Sequence, residues 1–344
     1  MRNFFILLFT LCFVMCAPRQ SDNTISVDLD HPEKASLFDY FRSIDLIPLE
    51  TSSDALVQAL TKVVEHEDKY YALDKPQCLI FVFDKAGKFL YKIGTKGQGA
   101  GEYAFISDFN INPFSGNLEI LEPYGRIHVY SLLGDFIETK RISYPEFKVA
   151  HSLAALDNDI YVSHSLFEPK KIAYFDLNKQ ELLHEEFEED MAIGSYSQIP
   201  YQYKDEWFFY RPFHPIVYKI GKKQLEASFK FDFGKYTKDG RTAVLSQEAK
   251  INFTKNKEEM YAQFSYMIQA VRHNDKYIFA SVLWKDNDHR ANIIYDKSTG
   301  KSKYIIEFDE KVWFNSYRGE EIIVTDQYAI MPIVSPYDKA WPPN

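Results

Sequence analysis

The stretch Phe81-Val-Phe-Asp-Lys-Ala-Gly-Lys-Phe-Leu-Tyr-Lys-Ile-Gly94, with its continuation Thr95-Lys-Gly-Gln-Gly-Ala-Gly-Glu-Tyr103, decides the fold. Apolar side chains fill both arms, and Asp84 to Gly87 supply turn chemistry between them. The segment reads as strand, tight turn, strand and open connector: the outer half of a propeller blade. Weaker copies recur. Aligning the central apolar step places Val82, Val129, Tyr174, Val217 and Ile294 in register, at spacings of 47, 45, 43 and 77 residues. The first three spacings suit blades of four strands, and the last suits one blade plus an insertion.

A second marker repeats independently. Val64-Glu-His-Glu-Asp-Lys-Tyr70 and Val271-Arg-His-Asn-Asp-Lys-Tyr277 share a turn pattern, echoed at Asp157-Asn-Asp-Ile-Tyr161 and Asp326-Gln-Tyr328. Each predicts the turn between the first two strands of a blade. The expected second strands are Tyr70–Leu73, Asn117–Leu121, Ile160–Val162, Trp207–Tyr210 and Tyr277–Ala280, near-continuous apolar runs suited to burial on both faces.

Blades are therefore expected over 56–103, 104–147, 148–190, 191–234 and 262–310, with a sixth begun at 311. Residues 235–261 break the rhythm with helix-forming runs and predict a short helical insertion. The expected architecture is an all-β, six-bladed β-propeller over 43–344 with an incomplete last blade. Ile44–Leu49, alternating up to Pro48, is expected to pair with that blade and close the ring.

Composition agrees. The 344 residues are 46% hydrophobic and 16% aromatic, with 24 Tyr and 28 Phe, which suits many short packed strands. The formal charge is −9. No Lys/Arg run accompanies it, so nucleic acid is excluded as a partner on electrostatic grounds.

Met1-Arg-Asn3 and the apolar run Phe4 to Val14 read as an export leader over 1–15, too short to span a bilayer. Cys16 then opens a polar tether and lead-in, 16–42. This arrangement resembles a bacterial lipoprotein signal, although Met15 stands where a small residue is usual. The resemblance implies lipidation at Cys16 and a membrane anchor in the cell envelope, at the outer membrane. With Cys78 the one cysteine left in the body, no internal disulfide framework is available.

Leu46-Ile-Pro-Leu-Glu-Thr51, Val82-Phe-Asp-Lys-Ala-Gly-Lys-Phe89 and Ile93-Gly-x-x-Gly-x-Gly-x-Gly-Glu-Tyr103 resemble the six-bladed β-propeller lipoproteins of Bacteroidota and, more distantly, NHL-repeat propellers. The resemblance covers most of the chain after residue 43. It implies a fold and leaves the activity open.

No constellation of residues announces catalysis. Gly94–Gly101 lacks a Gly-Lys-Ser/Thr ending and is followed by a strand, so the glycines serve a tight crossing between blades. The innermost strands are expected to start near Asp108, His151, Gln198 and Gln269, a mixed set with no repeated metal ligand. His66 and His273 lie in equivalent turns far apart; His151 and His164 belong to adjacent strands. No cofactor, metal or catalytic residue is assigned. The aromatic loops suit a ligand better: Tyr196, Tyr201, Tyr203, Tyr210, Arg211, Trp284 and Arg290 mix flat rings with cations and are expected to form a shallow site over blades four and five.

The expected function is a binding or scaffold module for a glycan or envelope protein. The alternative is a metal-dependent lyase or hydrolase working in the central channel through His151. If the last blade is incomplete, amide hydrogens across 328–334 should exchange faster than those of the second blade, as hydrogen-exchange mass spectrometry would read.

Overall fold

The computed structural model describes residues 23–142, 149–166, 168–189, 200–238, 245–251, 258–259, 264, 266–284, 289–309 and 323–330. The chain begins with β1 (Thr24–Ser26), β2 (Glu33–Ala35) and a 3₁₀ turn at Leu37–Asp39. Five four-stranded antiparallel sheets follow. Blade one is β3 (Leu60–His66), β4 (Lys69–Asp74), β5 (Leu79–Asp84) and β6 (Phe89–Ile93); blade two is β7 (Asp108–Ile111), β8 (Leu118–Leu121), β9 (Arg126–Tyr130) and β10 (Phe136–Arg141). Blade three is β11 (Ser152–Ala155), β12 (Ile160–His164), β13 (Lys170–Asp176) and β14 (Glu181–Glu188). Blade four is β15 (Tyr201–Tyr203), β16 (Glu206–Phe209), β17 (Ile216–Ile220) and β18 (Leu225–Asp232), and blade five is β19 (Tyr266–His273), β20 (Tyr277–Trp284), β21 (His289–Asp296) and β22 (Lys301–Phe308). A lone two-stranded ladder, β23 (Ile323–Val324) with β24 (Ala329–Ile330), completes the described chain.

The aligned positions Val82, Val129, Tyr174, Val217 and Ile294 all fall on third strands, and every expected second strand is found. In the defining turn, Asp84 Oδ1 accepts from the amides of Ala86 and Lys88, both at 2.9 Å. Gly87 sits at φ +81°, where a Cβ would lie 2.2 Å from the Pro48 carbonyl oxygen. Central strands are buried on both faces. One shared core joins Val162 and Tyr174 of blade three, Phe209 and Val217 of blade four, and Ile268 and Val282 of blade five.

The blade count is a correction. Five complete blades stand where six were expected, and a wedge of different construction lies between blade five and blade one. Ile44–Leu49 is not a strand. It runs over blade one, where the Glu50 amide donates to the Gly87 carbonyl at 2.8 Å and Glu50 accepts from the Phe89 amide at 3.1 Å. Pro48 and the approach of the Gly87 turn leave this segment no ladder to join.

The ring is instead bound by the N-terminal lead-in. β1 pairs in parallel with β18, Ile25 opposite Phe231, and β2 pairs in parallel with β22, Ala35 opposite Phe308. The chain then tucks Leu37, Tyr40 and Phe41 against Tyr277, Phe279 and Ile294 on the far face of blade five. Tyr40 meets Tyr277 edge-on at 5.6 Å and Phe41 stacks on Phe279 at 6.1 Å. Further on, Leu49 and Val57, with Ile330 of β24, cover Tyr70, Ala72, Phe81 and Phe83 of blade one.

Polar contacts clasp the same gap. The Tyr203 hydroxyl lies 2.8 Å from Asp275 Oδ1 and 2.5 Å from Asp326 Oδ1, its one proton shared between them, and the Lys204 ammonium reaches both carboxylates. These bonds hold the Asp326 carboxyl down at about 2. On the opposite side of the hairpin the Tyr328 hydroxyl donates to Glu65, which also pairs with Lys85. Of the expected insertion, the described residues hold the 3₁₀ turn Gly234–Tyr236 and a short helix, α1 (Gln247–Ile251). The leader and Cys16 lie outside the described residues.

If the lead-in is part of the fold rather than a tether, Leu37→Ala will cost about 3 kcal/mol, a large-to-small change at a buried site. The urea midpoint of the variant against the parent checks this.

A rim on the connection-bearing face

The two faces of the propeller are built differently. One carries the turns between first and second and between third and fourth strands, none longer than Asn112–Asn117, which joins β7 to β8, with the 44–50 segment lying over the Gly87 turn. The other carries the turns between second and third strands and the crossings from blade to blade, 94–107, 142–151, 189–200 and 233–265. Long connections concentrate chemistry at one end of a rigid scaffold.

On that face a hydrogen-bonded course runs from blade one to blade four. The Cys78 thiol, in the turn after β4, lies 3.4 Å from the Ala104 carbonyl. The Ala104 amide donates to Glu122 Oε1 at 3.2 Å. Glu122 is buried at the end of β8, and its other oxygen pairs with Arg126 and with His128, the latter at 3.3 Å. The Ala150 amide donates to the Pro123 carbonyl at 2.7 Å, and the His151 amide to the His164 carbonyl at 2.9 Å. These bonds fix the backbone at the base of two exposed rings, Phe105 at 63% and Tyr124 at 76% exposure.

The course ends in a buried ionic group. Arg211, fully buried, donates from Nε to Glu189 Oε2 at 2.6 Å, and its Nη1 lies 3.5 Å from His164 Nε2. Lys171 is buried too, its ammonium donating to the carbonyls of Leu166 and Glu168, both at 2.8 Å. His151 Nδ1 accepts from the Leu166 amide at 3.2 Å. That bond leaves Nδ1 unprotonated, so the neutral ring carries its proton on Nε2. Burial first, then Lys75, Lys171 and Arg211, pull His151 down to about 4; burial, then Arg211, His151 and Lys171, hold His164 well below its ordinary value.

Deeper in the channel, the Lys62 ammonium of β3 donates to Asp108 Oδ1 at 2.7 Å and Asn110 Oδ1 at 2.8 Å, both on β7. Asp108 Oδ2 accepts from the Leu153 amide of β11 at 3.2 Å, and Asn110 donates to the Leu153 carbonyl. Side chains of one innermost strand thereby satisfy the backbone edge of the next. Burial lowers the Lys62 ammonium, and Asp108 opposes that shift.

Of the residues singled out from sequence, Tyr201 and Tyr210 meet edge-on, with ring centroids 6.1 Å apart. Tyr201 is buried against Phe208 and donates to His273, and Tyr203 lies in the clasp with Asp275 and Asp326. Tyr210 and Arg211 sit just past β16, Tyr210 donating to the Gln269 carbonyl at 3.1 Å. Trp284 and Arg290 belong to β20 and β21, with side chains outside the described set, and Tyr196 lies outside the described residues altogether. Gly94–Gly101 is no phosphate loop. Its amides at Gln98 and Gly99 are taken by Glu102 Oε2 at 3.0 and 2.8 Å, and Gly94 at φ +95° makes room for Tyr103.

Over blades four and five the connections pack on themselves: Phe213 stacks on Phe264 at 4.5 Å, with Ala249 of α1, Met267 and Leu283. Among the described residues no group of three or more His, Cys, Asp or Glu is placed to hold a metal ion. At His164, Nε2 faces the Arg211 guanidinium. Phe105 and Tyr124 were missed because single exposed rings in connectors carry no periodic signal.

The two histidines set a pH dependence. A histidine whose folded value lies below its unfolded value, about 6.5, contributes stability that is full above 6.5 and lost as pH falls. For His151 the loss runs from about 6.5 down to about 4. Urea midpoints across that window should fall with acidity, and less steeply in His151→Gln.

A Bacteroides fragilis protein named as exported shares the fold at a TM-score of 0.64 and 18% identity, covering 82% of this chain and 80% of its own. A Bacteroides vulgatus protein of the DUF4221 family aligns at a TM-score of 0.50 and 11% identity, covering 75% and 83%. A search of curated proteins found no match. The model of one family spans residues 22–339, almost the whole of the described fold. The chain belongs to that family, described as a domain of unknown function, DUF4934.

Proposed function

We propose that this protein is an exported binding or scaffold module of the cell envelope, held by lipid at Cys16, that presents its connection-bearing face to a glycan or protein partner. The observation that carries this reading is the inequality of the two faces. Polar side chains of the hairpin turns are spent on their own backbone, as Asp84 is on Ala86 and Lys88, or on the clasp of Lys204 with Asp275 and Asp326. The opposite face carries the long crossings, ties them to neighbouring blades and exposes Phe105 and Tyr124 at 63% and 76%, against Phe114 at 47% on the hairpin face. A rigid scaffold with fixed exposed rings loses little entropy on binding.

Export is supported by the leader and by the name of the Bacteroides fragilis relative in fold. The catalytic alternative at His151 has weaker support, since among the described residues no three or more His, Cys, Asp or Glu converge to hold a metal.

The test compares the two faces. Binding of an immobilised panel of envelope glycans and proteins should fall in the double variant Phe105→Ala/Tyr124→Ala. It should persist in Leu133→Ala, an exposed position on a hairpin turn. Loss confined to the Leu133 variant would reverse the assignment of faces and sink the reading.

A further inference from the structure

The lead-in fixes the point at which the chain reaches the body of the propeller. β1 runs parallel to β18, which leaves the Gly221–Gln224 turn on the hairpin face and climbs toward the connections. Asn23, just ahead of β1, is held at this outer edge. Its side-chain amide donates to the Ser228 carbonyl at 2.9 Å, and its carbonyl accepts from the Lys230 amide at 3.0 Å. Past β1 the chain goes on to the connection side. There the Val27 amide donates to the Asp232 carbonyl, and Asp30 accepts from Lys235 at 2.8 Å and Tyr236 at 2.7 Å. Parallel partners share a direction, so the chain comes to Asn23 from the hairpin side of blade four.

Seven residue steps separate Cys16 from Asn23. Whatever path they take, they span at most about 25 Å. A compact domain of this length has a radius of gyration of about 20 Å and is about 50 Å across. The leash is therefore no longer than half the width of the body it holds. With Cys16 fixed in a lipid surface, the edge of blade four stays beside that surface. Lys222, Lys223 and Lys230 are exposed along this edge. Glu226 stands exposed among them and Lys222 lies 3.6 Å from Asp157, so their net charge is slight. The leash, rather than attraction to anionic headgroups, sets the orientation.

We infer that the hairpin-side outer edge of blade four, the turn Gly221–Gln224 with the neighbouring Lys230, lies against the lipid headgroups of the anchoring membrane and turns the connection-bearing face away from it. The inference rests on the anchor at Cys16 proposed above and adds its direction. The outer strand β6 of blade one, three blades round the ring, is then remote from the bilayer. A partner reaches Phe105 and Tyr124 from the aqueous side.

The experiment uses the full chain, expressed with its leader, in vesicles of phosphatidylethanolamine and phosphatidylglycerol with nitroxide on some of the headgroups. Lys223→Cys, Leu90→Cys and Tyr124→Cys, all at exposed positions, each take a fluorophore, while Cys78 is buried. A thermal melt matching the parent verifies that each variant folds. The label at 223 should lose most of its emission to the nitroxide, and the labels at 90 and 124 should keep theirs. Inserting about twenty Gly and Ser residues after Gln20, a coil of about 25 Å in itself, should erase the difference. Flotation with the vesicles, abolished in Cys16→Ser, checks the anchor.

Equal quenching at the three positions, stronger quenching at 124 than at 223, or a difference that survives the longer leash overturns the inference and leaves the anchor standing. A parent chain that does not float, or a Cys16→Ser variant that floats equally well, overturns the anchor and the inference with it. Flotation and quenching are read separately, so the two failures are distinguishable.

Discussion

A four-stranded blade has two apolar faces and can leave neither in water, so everything here depends on closing the ring. Blades one to five cover one another in sequence, but blade five's far face and blade one's near face need something else. The chain meets that need with the least regular part of itself. Leu37, Tyr40 and Phe41 seal blade five, Leu49 and Val57 seal blade one, and the β23–β24 hairpin stands between them. No ladder of backbone hydrogen bonds crosses from last blade to first among the described residues. Closure therefore rests on side-chain burial and on the clasp of Tyr203 and Lys204 with Asp275 and Asp326. Those ion pairs are exposed, where each is worth at most about 1 kcal/mol, so burial supplies most of the closure.

The centre obeys a different rule. Innermost strands converge, and their inner backbone edges cannot all pair with one another. Lys62, Asp108 and Asn110 bridge three of them, the carboxylate serving an amide of blade three while it neutralises a lysine of blade one. Removing one partner of such a buried group leaves the others uncompensated, at a cost of about 3–5 kcal/mol, whereas the intact group gives little net stability. Its value is in register: it fixes which residues of adjacent blades stand opposite.

How much of this was legible follows from the range of each interaction. The period was legible because the third strands repeat a local pattern, and Asp84 with Gly87 makes a turn whose chemistry lies within five residues. The strap was not. Leu46-Ile-Pro-Leu has a strand's alternation, yet its fate is set by a glycine turn some forty residues on, where Gly87 admits the Pro48 carbonyl. The parallel pairing of Thr24–Ser26 with Lys230–Asp232 leaves no trace in either segment. The tyrosines of blade four were legible as aromatic, whereas the partners each would find were not. β15 brings Tyr201 to His273 and Tyr203 to Asp275 and Asp326, while Tyr210, just past β16, meets the Tyr201 ring and the Gln269 carbonyl.

The same contrast of range separates the faces. A hairpin turn is held largely from within: Asp157 accepts from the amides of Asp159 and Ile160, and Asp296 accepts from the amide and hydroxyl of Ser298. A connection between blades is held from outside, by Glu122 from one blade and Pro123 against the next. Its own side chains are released from structural duty. Phe105, on the crossing from blade one to blade two, is exposed beside an amide tied to Glu122, and such a combination of anchored backbone and unspent side chain is what a recognition surface requires.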